Sequence, residues 1–497
     1  MGMVRKMQLL QKVADKRDTD HSSNDPYAGL DRFGRVTDLR WWNTDSGSDL
    51  ERVRYGYNKS NNRIWRQNPV VSTADELYNY NSSNQLALMQ RGTLNAQHNG
   101  LVANTQNFRQ QWTLDTLGNW TQYQESVPDN YGVLTLSLEQ SRTHNTANEI
   151  TNFSAGDYQP EWAIPTYDRA GNMISGPRPG DETTRHHYIY DAWNRLKAVK
   201  DDYFGSPGNT TIIEYQYDGR HFRIMRGARH FYYSSQGQVL EDRSTPYGPF
   251  WPSDRRYVWG LRYIDDLVCR DQACSTALDA PRLYAIQDAN WNVTALTFGG
   301  NAGALIRTSY SAFGQPTIDS SVVSGSPQDI PYMFTGREYD NATGLYFYRA
   351  RYYHPTLGRF TSRDPLGYDA EDFNLYRYVR NNPLKYVDPS GFDGVSHKLS
   401  GEYNVRLAYE VGTVAQRTRK ALAYIDLKTL VQFFEDKSKR KCPCQNDRYK
   451  CQGEGEMKGT LRNAGIYLPE WTDYKSGTSN QQKLWDDFLA RLTDPPD

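Results

Sequence analysis

Cysteine is scarce in this sequence, with five in 497 residues, which excludes a disulfide framework as the source of its stability. Net charge is absent too: 58 Lys and Arg balance 58 Asp and Glu, so no global field draws the chain to nucleic acid or to an anionic surface. No apolar run approaches the roughly 18 residues that mark a membrane-spanning helix. The opening stretch, MGMVRKMQLLQKVADKRD, is basic but has no apolar segment behind it, and it does not read as a secretory signal. Mean hydropathy is −0.82, low for a protein built on a thick core.

What the sequence has is aromatic residues, at 13%, with 37 Tyr against 17 Phe. That content argues against disorder. A tyrosine covers apolar area while its hydroxyl stays wet, which suits thin walls better than thick cores. Thr, Val and Trp alongside abundant Gly and Asn favour an all-β chain.

A short pattern recurs: an aromatic or apolar residue, Asp or Asn, two or three small or polar residues, then Gly or Asn before a new apolar run. Clear copies are Tyr57-Asn58 with Asn62-Arg63-Ile64, Tyr80-Asn81 with Asn84-Gln85-Leu86, Tyr167-Asp168 with Gly171-Asn172-Met173, Tyr190-Asp191 with Asn194-Arg195-Leu196, and Tyr217-Asp218. Weaker ones begin at Leu30-Asp31, Leu114-Asp115, Gln287-Asp288 and Tyr310. Twenty-three residues separate Tyr57 from Tyr80 and Tyr167 from Tyr190, the length of one hairpin with its turns. Asp or Asn starts the turn through its side chain, and Gly or Asn accepts the positive φ inside it. Residues 1–330 are therefore expected to form a ribbon of consecutive antiparallel hairpins, interrupted by a Pro-rich loop at 243–256 and ending in a linker at 316–331.

From Tyr332 to Phe392 the composition sharpens. The ordered landmarks are Gly344-Leu345-Tyr346, Arg349, Arg351-Tyr352-Tyr353, Gly358-Arg359-Phe360, Asp364-Pro365, Asn374-Leu375-Tyr376, Asn381-Asn382-Pro383 and Asp388-Pro389-Ser390-Gly391-Phe392. This stretch resembles the RHS repeat-associated core domain of bacterial RHS proteins, of the C components of insecticidal Tc toxins and of related YD-repeat polymorphic toxins. The resemblance implies that the repeats wind a hollow β-shell around a polypeptide, with this chain starting partway through the wall. Residues 331–392 would be the core domain with its autocleavage motif, and residues 393–497 a variable effector module.

Two carboxyls that share one proton have their affinities for it pushed apart, so one can activate water while the other donates to a carbonyl. The resemblance places the catalytic aspartate on Asp364 and its basic neighbour on Arg363, and implies cleavage between Phe392 and Asp393. Asp388 is the favoured partner, with Asp372 in reserve. The plainer alternative is that both Asp-Pro pairs merely form turns.

Beyond Phe392 the pattern stops. Leu407, Val411, Val414, Leu422, Ile425, Leu430 and Phe433 fall at helical spacing, and Gln481–Leu492 reads as an amphipathic helix, so the tail is expected to be a separate, mostly α module. Cys442, Cys444 and Cys451 with His397 make a poor zinc set, because the CxC spacer strains a shared tetrahedron; no metal or other cofactor is expected. Cys269 and Cys274 read as ordinary residues. The basic run Lys437, Lys439, Arg440 and Lys441 reads as a solvated charge cluster, because the tail as a whole has 17 basic against 15 acidic residues. Nucleic-acid binding stays open.

The resemblance implies a self-cleaving toxin in competition between bacteria, reaching the cell surface or the medium through a dedicated export system. Its own tail would be the enclosed cargo, and an immunity protein its partner. Two alternatives remain: a non-enzymatic, adhesive YD-repeat surface protein, and a decayed fragment.

Overall fold

Each copy of the repeated pattern forms the same turn. The Asp168 amide donates to the Asn172 carbonyl at 2.9 Å, and the Gly171 amide returns to the Asp168 carbonyl at 3.0 Å. Asp168 Oδ1 accepts the Asn172 amide at 2.9 Å, and Gly171 has a φ of +84°. Asn61, Asn84, Asn194, His221 and Trp291 hold the equivalent left-handed position in their own turns. A register shift beside Tyr57, Tyr80 and Tyr190 completes the three-residue hairpin with its bulge.

The computed structural model describes residues 9–13, 29–43, 47–156, 159–203, 206–244, 255–260, 262–272, 282–298, 304–319, 331–392 and 397–398. Among these, 24 wall strands follow one another in sequence order in two sheets. The first sheet runs from β1 (Leu9–Val13) to β10 (Ile150–Ala155), and the second from β11 (Thr166–Tyr167) to β24 (Pro316–Asp319). Within each sheet every strand pairs antiparallel with its neighbour in sequence. Among the described residues the repeat region is thus almost wholly β, with one short 3-10 turn at Ser72–Ala74, as the repeats predict. Pro316–Asp319, expected to be linker, instead forms β24, because it pairs with Ala304–Tyr310. Most of the expected 243–256 loop and the helices expected in the tail lie outside the described residues.

The tyrosine of the repeat ties one hairpin to the one before it. The Tyr57 hydroxyl donates to the Val36 carbonyl at 2.8 Å, Tyr80 to Arg63 at 2.7 Å, Tyr217 to Leu196 at 2.7 Å and Tyr310 to Val293 at 2.6 Å. Asparagine side chains link successive turns: Asn62 donates to Asn84, Asn119 to Asn148, and Asn172 to Asn194. The two sheets also meet each other. Trp41 Nε1 donates to the Gln287 carbonyl at 2.9 Å, and Arg307 pairs with the buried Glu51. Between them lies a cavity of about 680 Å³ lined by Arg63, Glu76, Tyr78, Trp112 and Tyr123 among others.

Residues 331–392 fold into a small sheet of β25 (Glu338–Asp340), β26 (Leu345–Tyr348), β27 (Arg351–His354) and β28 (Arg359–Phe360). Tyr346, Tyr348, Tyr353, Phe360 and Tyr378 in this segment are completely buried. Its loops close over the row of wall turns. Asn382 bonds Asn62 and the Asn84 carbonyl, Asn381 the Gly118 carbonyl, Asn374 Asn119, and the Tyr376 hydroxyl the Gly171 carbonyl. Within the same segment, β29 (Tyr386–Val387) pairs with β30 (His397–Lys398), which follows it.

Candidate active site

The segment's sheet ends beside two Asp-Pro turns. Asp364 Oδ1 accepts the Leu366 amide at 2.9 Å, and its own amide donates to the Leu375 carbonyl at 2.9 Å. Asp388 Oδ1 gathers the amides of Ser390, Gly391 and Phe392 at 3.1, 2.7 and 3.2 Å. Both aspartates therefore shape turns, as Asp before Pro does. In each case that uses only one carboxylate oxygen.

The other oxygens converge on Arg351, which β27 carries into the interior. Its Nη2 lies 2.9 Å from Asp364 Oδ2 and 3.6 Å from Asp388 Oδ2, with all three side chains almost wholly buried. Nε donates to the Gly391 carbonyl at 2.6 Å and Nη1 to the Leu375 carbonyl at 3.0 Å, while the guanidinium lies 3.6 Å over the Phe360 ring. One planar cation thus joins both aspartates and the backbone next to Phe392, a use of the guanidinium fork that lysine could not match. Burial pushes the Asp388 carboxyl above the ordinary aspartate range, and Arg351 and the Gly391 amide pull it partly back.

Gly391 makes the close approach possible. Its φ is +77°, and a Cβ there would sit 2.2 Å from the Tyr348 carbonyl oxygen. The Ala350 amide donates to the Ser390 carbonyl at 3.2 Å. Phe392 emerges half-buried beside a cavity of about 240 Å³, lined on one side by Arg351, Ser362 and Pro365 and on the other by the wall residues Tyr190, Trp193, Leu196 and Tyr217.

Asp364 and Asp388 are therefore brought together, and Phe392 is held beside them. Asp393 lies outside the described residues. Arg363 turns instead to the wall, with Nη2 2.7 Å from Glu149 Oε1 and Nε 3.2 Å from the Tyr376 hydroxyl; the guanidinium at the pair is that of Arg351. Asp372 forms a two-point ion pair with Arg377, at 2.7 and 2.8 Å. Arg351 stood among the sequence landmarks, but nothing in the sequence set it apart from Arg349 or Arg359.

No protein-family model matches the chain. It is 30% identical over 234 residues to a tRNA3(Ser)-specific nuclease WapA of Bacillus spizizenii, which covers 46% of this chain and 9% of that protein. It is 55% identical over 58 residues to the toxin subunit YenC2 of Yersinia entomophaga, covering 12% of this chain and 6% of that one. The first of these relatives is thus a nuclease and the second a toxin subunit. Among solved structures, the TcdB2–TccC3 complex without the hypervariable C-terminal region aligns over 72% of this chain and 18% of the other, at 18% identity and a TM-score of 0.46. The chain thus spans less than a tenth of the length of either curated relative.

Proposed function

We propose that this chain is the closing part of an RHS-type toxin shell, and that it cuts itself after Phe392 to separate residues 393–497 as an effector. The observation that carries this reading is the meeting of Asp364 and Asp388 across one guanidinium nitrogen of Arg351, with Asp388 also gripping the Phe392 amide. A pair of turn formers has no need of a shared, buried cation. Similarity to a nuclease and to a toxin subunit supports the toxin reading.

In this mechanism Asp388, whose proton burial favours, donates to the carbonyl oxygen of Phe392. Asp364 takes a proton from a water molecule that attacks the same carbonyl carbon. The tetrahedral intermediate collapses, the Phe392–Asp393 bond breaks, the proton from Asp364 passes to the departing amine, and the proton on the former carbonyl oxygen returns to Asp388 as the new carboxyl forms. The products are a carboxyl on Phe392 and a free amine on Asp393. Arg351 balances the negative charge of the pair and fixes the strand that leads to the bond.

A 680 Å³ cavity is on the scale of a small-molecule pocket. We therefore assign the described residues to part of the wall and the plate that closes it; enclosing the 105-residue tail takes additional wall. Export machinery, an immunity protein and other toxin components are the partners that this reading implies. The adhesive, uncleaved alternative draws support from the turn-capping role of both aspartates. Gel analysis of Asp364→Asn, Asp388→Asn and Asp372→Asn separates the two readings. The first two variants should remain one chain while the third still cuts; cutting in Asp364→Asn would refute the dyad.

A further inference from the structure

The cavity beside Phe392 is built from two distant parts of the chain. Arg349–Tyr352, Ser362 and Pro365 come from the closing segment, and Tyr190, Trp193, Leu196, Tyr217 and His221 from the wall. The wall's share is held by its own repeat chemistry. Asp191 pairs with Arg195, Arg195 donates to the Asp218 carbonyl, and the Tyr217 hydroxyl donates to the Leu196 carbonyl at 2.7 Å. Arg195 also lies over both the Trp193 and Tyr217 rings, at 5.1 and 4.7 Å. Several bonds cross between the parts here: the Tyr190 hydroxyl and the Met173 amide both donate to the Thr361 carbonyl, at 3.4 and 2.8 Å, and Arg223 Nη1 donates to the Tyr352 hydroxyl at 3.0 Å.

We propose that this cavity is the cleavage chamber, and that the wall turn Tyr190–Leu196 is its specificity element, reading the residue before the cut. The proposal rests on the autoproteolysis reading and deepens it. At about 240 Å³ the chamber has room for several waters at about 30 Å³ each and for the amide beyond Phe392. Half its lining exists only once the repeats around residues 190–217 have folded against the closing segment. Cleavage is thereby coupled to wall assembly: a nascent chain cannot release its effector before the wall that precedes it has formed.

Trp193 is the residue with which to test this, because it lines the chamber yet is 67% exposed, so its removal leaves the fold intact. Full-length chain is made by cell-free synthesis with a short labelling pulse, and the cleaved fraction is followed over time for wild type, Trp193→Ala, Phe392→Ala and the double variant. Circular dichroism confirms that each is folded. Trp193→Ala should slow cutting about tenfold or more, since a small misplacement of a reacting bond is costly. The double variant should be less impaired than the product of the two single effects, because the two side chains act on one chamber. Tyr131→Ala, at an exposed hairpin tip (92% exposed), serves as the control and should cut like wild type. Wild-type cutting by Trp193→Ala, or strict multiplication of the two effects, overturns the proposal while leaving the aspartate dyad standing. If wild type is never cut, the autoproteolysis reading fails and this one with it.

Discussion

At the scale of single residues, Gly391 and Arg351 decide what the site can do. Gly391 combines a positive φ with backbone on every side, so Gly391→Ala cannot be relieved by a rotamer change. We expect it to cost at least about 2 kcal/mol and to stop cleavage, with urea unfolding measuring the first and product mass the second; a stable, cutting Gly391→Ala would contradict this geometry. The two aspartates could be read from their Asp-Pro pairs, but the basic residue between them could not. Arg363 and Asp364 are adjacent but part company: Asp364 reaches inward to Arg351, while Arg363 meets Glu149 and Tyr376. Arg351 reaches the pair only because β27 turns back through β28, and the Thr361 amide then donates to the Tyr352 carbonyl at 2.9 Å. Such a meeting of residues far apart in sequence leaves no local trace.

At the scale of elements, the repeat was legible because its chemistry is local. The Asp or Asn side chain and the positive-φ residue three places along fix both the turn and the register. Turns with a changed first residue escaped notice: Asn145–Glu149 follows a histidine, and Ser234–Gln238 has serine in place of aspartate, yet both form the same bonds. The tyrosine hydroxyl's bond to the preceding hairpin was also hidden, since it depends on strand pairing. Tyr217→Phe removes this bond together with the hydroxyl's bond to Tyr352, so it should destabilise the wall by at least about 1 kcal/mol in urea unfolding. Gly171→Val should cost considerably more. Gly171 has a φ of +84°, and an added Cβ would lie 2.2 Å from Arg363 Nε. Equal midpoints for these two variants would show that turn conformation matters less than the structure indicates.

At the scale of the whole molecule, the closing segment and the wall are joined through buried groups that resist protonation. His354 Nε2 donates to the Pro177 carbonyl at 2.8 Å, while its Nδ1 accepts the Leu357 amide at 3.3 Å. A second proton would meet that amide, and burial pushes the His354 imidazolium down to about 3; buried His186 is likewise pushed down to about 4. Unfolded, each takes a proton near pH 6.5. The unfolded state therefore binds more protons below that pH, and stability is full above it and falls as pH drops from about 6.5 toward 4. Thermal melts should show Tm falling through this window by more than the same melts of a His354→Gln, His186→Gln variant. A Tm that rises on acidification would contradict the assignment of these histidines as buried and neutral.

Whether the arrangement of Asp364, Asp388 and Arg351 cuts the chain is decided by intact mass measurement on the purified full-length protein. The prediction is two species that sum to 57.3 kDa plus one water, the larger ending at Phe392 and the smaller beginning at Asp393. A single uncut species from protein whose wall is folded would contradict it.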